Sequence, residues 1–180
     1  EVNELTNQGA RLALLLEPSA ELTIIGTAML QQFETDGKSY IDINSTTKEP
    51  TVGKYAHFRF VPEPMDQDFS LLSLTVEYDF GNALLTSTTS YNSIDQEKID
   101  DFTGYDSPFL PNNFPELFPP DALFPAYRTT KTDKFTQEFK LTSQLSGNLQ
   151  YVMGLFYTSE DSLFVDDERG IPNLGEINNG

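Results

Sequence analysis

The 180-residue chain has no cysteine, no tryptophan and a single histidine, His57. Without thiols, and with one imidazole, it can build neither a structural zinc site nor a Cys/His dyad. Basic residues are also scarce: 11 Lys and Arg stand against 28 Asp and Glu, for a formal charge of −17. Phosphate binding needs a basic surface, so nucleic acid is excluded as a partner. The longest apolar run, Leu12 to Leu16, is far short of the roughly 20 residues of a spanning helix. Glu1 to Gln8 carry acid and amides where a signal peptide has a basic start and an apolar stretch, so any secretion signal is expected outside this chain. With 38% hydrophobic residues, the chain still has enough apolar material for a core or for a sheet with one greasy face.

That material alternates. Leu72, Leu74, Val76, Tyr78 and Phe80 interleave with Ser73, Thr75, Glu77 and Asp79, the period of a strand with one apolar face. Gly81-Asn82 then turns the chain into Ala83 to Tyr91, predicting a hairpin. Phe135, Gln137, Phe139 and Leu141 alternate in the same way, and Ser146-Gly147-Asn148 leads into Leu149, Tyr151, Met153, Leu155 and Tyr157. Arg11 to Leu16 passes through Glu17-Pro18-Ser19-Ala20 into Leu22 to Phe33. The expectation is three hairpins, at about 9–33, 68–93 and 134–160, joined by long loops at about 34–67 and 94–133.

Short turns alternating with long loops are uncommon in compact soluble domains and usual in outer-membrane barrels. Strands of ten or more residues also suit a tilted crossing of the bilayer. Aromatics fall at the strand ends, with Tyr78, Phe80 and Tyr151 beside the short turns and Tyr91, Phe135 and Tyr157 toward the long loops, as two girdles would require. Ser73, Thr75, Glu77, Asp79, Thr136, Glu138, Lys140 and Thr142 would then face a lumen. The fold expected is all-β: an antiparallel meander of about six strands, part of a large transmembrane β-barrel. The competing reading is a secreted β-sandwich that binds glycans or other ligands through its loops.

The phrases Phe135-Thr136-Gln137-Glu138-Phe139-Lys140-Leu141-Thr142-Ser143 and Leu149-Gln150-Tyr151-Val152-Met153-Gly154-Leu155-Phe156-Tyr157 resemble paired wall strands of TonB-dependent outer-membrane receptors. Leu72 to Phe80 with Leu84 to Tyr91, and Arg11 to Pro18 with Leu22 to Phe33, look like earlier hairpins of the same wall. That family closes about 22 strands around a plug, so the resemblance implies an internal piece of the barrel, with the plug and TonB box outside the chain. It further implies location in the outer membrane of a Gram-negative bacterium, contact with outer-membrane lipid and with the receptor's own plug, and energised uptake through TonB. The cargo would be a small molecule or metal chelate, by default an iron-siderophore complex. Its girdles would use Tyr and Phe, the chain having no Trp.

The segment from Phe102 to Tyr127 holds five Phe, two Tyr and six Pro, too many prolines for one regular element. Phe102, Tyr105, Phe109, Phe114, Phe118, Phe124 and Tyr127 are the candidate ligand-binding residues: rings held by prolines form an apolar patch suited to a hydrophobic or aromatic ligand. Asp95, Glu97, Asp100, Asp101 and Asp106, and again Asp161, Asp166, Asp167 and Glu168, read as solvated acidic surface, since no calcium-loop spacing is present. No catalytic pair, cofactor or metal site is expected. His57, beside Tyr55, Phe58 and Phe60, reads as an ordinary loop residue.

Overall fold

A computed structural model describes residues 4–39, 41–54 and 56–171. They form one six-stranded sheet: β1 (Leu5–Leu16), β2 (Leu22–Thr35), β3 (Met65–Asp79), β4 (Ala83–Asp101), β5 (Pro125–Ser143) and β6 (Val152–Glu168). Each strand pairs antiparallel with its neighbours in sequence, in the order β1-β2-β3-β4-β5-β6. The sheet is not closed. Turns of 17–21, 80–82 and 144–151 lie at one end, and loops of 36–64 and 102–124 at the other. The meander, and the side on which each kind of connection lies, agree with the alternation. A sandwich would need a second, facing sheet, and the described residues contain none.

The strands run further than alternation indicated. Beyond the apolar band, ten residues of β4 (Asn92–Asp101) pair with ten of β5 (Pro125–Lys134), down to Asp101 against Pro125, which narrows the second loop to 102–124. The third turn is wider than its Ser-Gly-Asn core: Leu149 lies in it, 69% exposed, and regular pairing of β6 starts at Val152. Tyr151 is tethered there, its N–H donating to Ser143 Oγ at 2.8 Å and its carbonyl accepting from Ser143 N at 2.9 Å. The middle turn is tight. Gly81 adopts φ +82°, a conformation glycine takes without penalty, and its N–H donates to Asp79 Oδ1 at 2.7 Å.

Register puts the apolar side chains on one face. Leu16, Ile24, Val76, Ser87, Phe139 and Leu155 form one cross-strand row, and Leu14, Gly26, Leu74, Thr89, Gln137 and Tyr157 the next. Tyr78, Leu85, Leu141 and Met153 extend this face toward the short turns. It is uncovered: Leu12, Leu72 and Leu155 are 59%, 60% and 75% exposed. In water each such side chain forgoes about 1.5–3 kcal/mol of burial, and an exposed patch this large marks a contact surface. The polar groups within it bond to one another, Thr89 Oγ1 donating to Gln137 Oε1 at 2.6 Å and Gln137 Nε2 to Ser87 Oγ at 3.1 Å. Aromatics bound the patch. Tyr78 and Phe80 sit 4.8 Å apart at the short-turn end; Tyr91, Phe135 and Tyr157 lie toward the loops, with Phe135 and Tyr157 6.4 Å apart.

The opposite face is mostly polar, as in the row Thr75, Thr88 and Glu138, where the two threonine hydroxyls are 3.4 Å apart. Among the described residues the buried apolar side chains are few: Ala83 near a short turn, and Val61, Ala122, Phe124 and Ala126 beneath the long loops. No helix of the described residues is long and apolar enough to cross a membrane.

Candidate functional site at the long-loop end

Asp100 is the centre of the loop end. It is near the end of β4, 3% exposed, and receives Lys38 from the first loop, Lys98 at 3.2 Å from its own strand, and Arg128 from β5. Burial pulls the Asp100 carboxyl upward, but the bonds from Lys38, Lys98 and Arg128 outweigh it and hold the group below the usual carboxylate range. Arg128 also forks onto Asp166 of β6, with Nε and Nη2 at 3.1 and 3.0 Å from its two oxygens. Lys38 Nζ lies 3.0 Å from Glu63 Oε1, and Glu63, 1% exposed, accepts the Asp101 N–H with that same oxygen at 3.0 Å. Burial lowers Lys38, yet its bonds to Asp100 and Glu63 win and raise it. Charges spread over 38 to 166 in sequence thus fasten the first loop, β4, β5 and β6 together.

Asp101 performs a similar task with backbone groups. Its Oδ2 accepts from Phe60 N at 2.6 Å and Val61 N at 3.0 Å, and its Oδ1 from Thr103 N at 3.0 Å. Thr103, buried, accepts the Phe124 N–H at 2.9 Å and so pins the two ends of the second loop together. Between them the chain makes two single-turn helices, α1 (Thr103–Asp106) and α2 (Leu110–Asn113). Burial and the neighbouring Asp106 carboxyl push Glu168 up, at the point where α1 approaches the end of β6.

The seven rings of 102–127 do not form one patch. Phe124 is 1% exposed and Phe118 packs on it, 5.4 Å between ring centroids. Both serve the packing of the loop. Phe102 lies under the Arg128 guanidinium at 5.0 Å, and Tyr127, 40% exposed, under that of Arg169 at 5.2 Å. Tyr105, Phe109 and Phe114 remain on the surface, with Tyr105 82% exposed. Two further rings come from the first loop. Phe58 and Phe60 pack edge to face at 4.7 Å, both exposed, and Asp101 holds Phe60 alongside Gly104, next to Tyr105. Their two-residue spacing was the available signal. Their proximity to the second loop was not legible, because it depends on Asp101.

Charge divides by face. On the apolar side, toward the loops, the register places Asp66 opposite Glu97, Asp68 opposite Asp95 and Asp133 opposite Asp161, with Lys131 bonded to Asp95 at 2.6 Å and Tyr91 OH donating to Asp133 at 2.7 Å. The other side mixes signs, as in Lys134 and Glu160 at 3.2 Å. Among the described residues no group of three or more His, Cys, Asp or Glu is arranged to hold a metal ion. No known family model matches the chain, and no curated protein matches it.

Proposed function

We propose that this chain is a stretch of the wall and external loops of an outer-membrane β-barrel receptor of the TonB-dependent kind, which captures a scarce small ligand and admits it through the barrel. The observation that carries the reading is the single-layer meander with one uncovered apolar face between aromatic borders and a polar face behind it. A lipid-facing wall explains both faces at once, since in hydrocarbon the exposed leucines become favourable and the backbone groups of the four inner strands are already paired along the ladder. On β2 the apolar band runs from Leu22 to Leu30, about 26 Å of extended chain at 3.3 Å per residue. Tilted about 40°, it would cover roughly 20 Å, and the bordering rings would account for the rest of a band about 25 Å tall.

The transport half of the reading rests on the resemblance of the strands to TonB-dependent receptors. Ligand capture is assigned to the exposed rings Tyr105, Phe109 and Phe114, joined by Phe58 and Phe60, on loops held by the ion-pair network. An iron chelate is the default cargo, and the aromatic surface equally suits a hydrophobic or aromatic compound.

Lacking native cysteine, the chain accepts single labels. Nitroxides at Leu74→Cys and Thr75→Cys, in protein reconstituted into vesicles, should separate: the first relaxed by oxygen dissolved in lipid, the second by a water-soluble nickel chelate. Equal accessibility at both positions would defeat the wall.

A further inference from the structure

The second loop, which carries Tyr105, Phe109 and Phe114, is pinned at its ends: Thr103 accepts the Phe124 N–H, and Leu123 and Ile171 exchange backbone bonds of 2.8 and 2.9 Å. Between those pins, α1 meets the wall through two carboxyls. Asp106, the last residue of α1, comes within hydrogen-bonding reach of Glu168, the last residue of β6. Asp106 Oδ2 is shielded from solvent and has no hydrogen-bond partner among the described residues. Two ionised carboxylates side by side only accept, and so repel; a protonated one donates. The cations around Glu168 are engaged elsewhere. Arg128 of β5 bonds Asp100 and Asp166, Arg169 bonds Asp167 and lies over Tyr127, and Lys38 and Lys98 are held at Asp100. Asp100 itself stands in the Glu168 row of the sheet, with Ala126 between them. Burial, Asp106 and Asp166 together hold Glu168 above the ordinary glutamate range, against the pull of Arg128.

We propose that Glu168 and Asp106 form an acid-operated latch on the capture loop: with a proton on Glu168 the two carboxyls bond and hold α1 against the end of β6, and loss of that proton sets two negative charges against each other and releases it. The proposal rests on the reading that this loop captures ligand, and gives that site a control. The rings move with the latch, because Tyr105 directly precedes Asp106 and the Asp106 carbonyl accepts the Phe109 N–H at 3.0 Å. Its sign follows from the direction in which Glu168 is displaced. The bond contributes fully below the ordinary glutamate value of about 4.3 and is lost as pH rises through the higher folded value. Mildly acidic surroundings thus fix the rings, and neutral ones free them.

The test is amide hydrogen exchange on the protein reconstituted into vesicles, read as protection after correction for intrinsic rates. The Tyr105, Asp106 and Ser107 amides, each bonded at 2.9 Å to the carbonyl of Phe102 or Thr103, should lose about tenfold in protection from pH 5 to pH 8, corresponding to roughly 1.4 kcal/mol. Glu168→Gln keeps a donor at every pH and should remain protected at pH 8. Asp106→Asn offers its own N–H to Glu168 and should do the same. Protection that stays level or rises with pH in the unmodified chain would overturn the proposal. So would a fall that survives in either variant, as titration of His57, the one histidine, would produce. Should one variant fail to fold, the other decides alone. Exchange needs no ligand, so the two readings fail separately: level protection defeats the latch and spares the capture site, whereas rings whose removal leaves uptake unchanged lose the capture role and leave the latch standing.

Discussion

Replacing Asp100 with Asn should loosen the first long loop while leaving the strands in place. The substitution keeps shape and removes charge, so three charge-assisted contacts, from Lys38, Lys98 and Arg128, are weakened together. Each such bond contributes about 1.5–3 kcal/mol. Burying the carboxylate offsets part of that, and the cations have other recourse: Arg128 keeps Asp166, Lys38 keeps Glu63, and all three are partly hydrated. The net loss should be about 2–3 kcal/mol. It should appear as local opening, because Glu63 and Lys38 bracket the loop. Amide hydrogen exchange reads that opening directly. Protection of the Phe60, Val61 and Asp101 amides, all bonded to Asp101 or Glu63 carboxylates, should fall roughly 30- to 150-fold, at 1.4 kcal/mol per tenfold. Amides at the centre of the β3 and β4 ladder should be unaffected. Unchanged protection at Phe60 and Val61, or a uniform loss through the sheet, would refute the view that Asp100 fastens loop to wall.

The same network sets a pH window. Asp100, held below its ordinary value, contributes stability that is complete above the unfolded carboxylate range near 4 and is lost as pH falls through its folded value; Lys38, held above its ordinary value, contributes fully below about 10.4 and is lost as pH rises. Loop protection measured by exchange should therefore decline at both extremes and hold between about pH 5 and 9. Leu74→Arg should lower stability in lipid by about 2–4 kcal/mol in denaturant titrations, against little change for Thr75→Arg on the polar face; equal costs would contradict the assignment of faces. Phe124→Ala should cost about 3–5 kcal/mol as a core truncation. By contrast Tyr105→Ala with Phe109→Ala should preserve folding and weaken ligand binding at least tenfold, and unchanged uptake would remove those rings from the capture site.

Where one face is apolar and the other polar, the sequence declares both strand and face, as from Leu72 to Tyr78. Beyond Tyr91 that contrast fades, because both faces of Asn92 to Asp101 carry mostly polar residues, and period-two patterning has nothing to separate. The pairing of that stretch with 125–134 comes from the ladder itself, which hydrophobicity does not report. Leu149 misled for the converse reason: it keeps step with Tyr151 and Met153 yet stands in the turn. In the second loop, composition announced an aromatic surface and could not sort it. Phe124 and Phe109 have the same side chain, and what buries one is a hydrogen bond from its amide to Thr103. The Asp100 network was beyond reach, its members being spread over four segments of chain.

Every pairing in the sheet joins neighbours in the chain, and this has a kinetic consequence. Closing β1 on β2 ties off a loop of roughly five residues, whereas bringing β2 to β3 ties off roughly thirty, an additional entropic cost of about 1.6 kcal/mol on a logarithmic scale. The hairpins with short turns should therefore zip first and independently, and the wall should grow as they are added in pairs. Lys38, Glu63 and Asp100 then act late, as a clasp that closes the wide span after the hairpins on either side of it have formed.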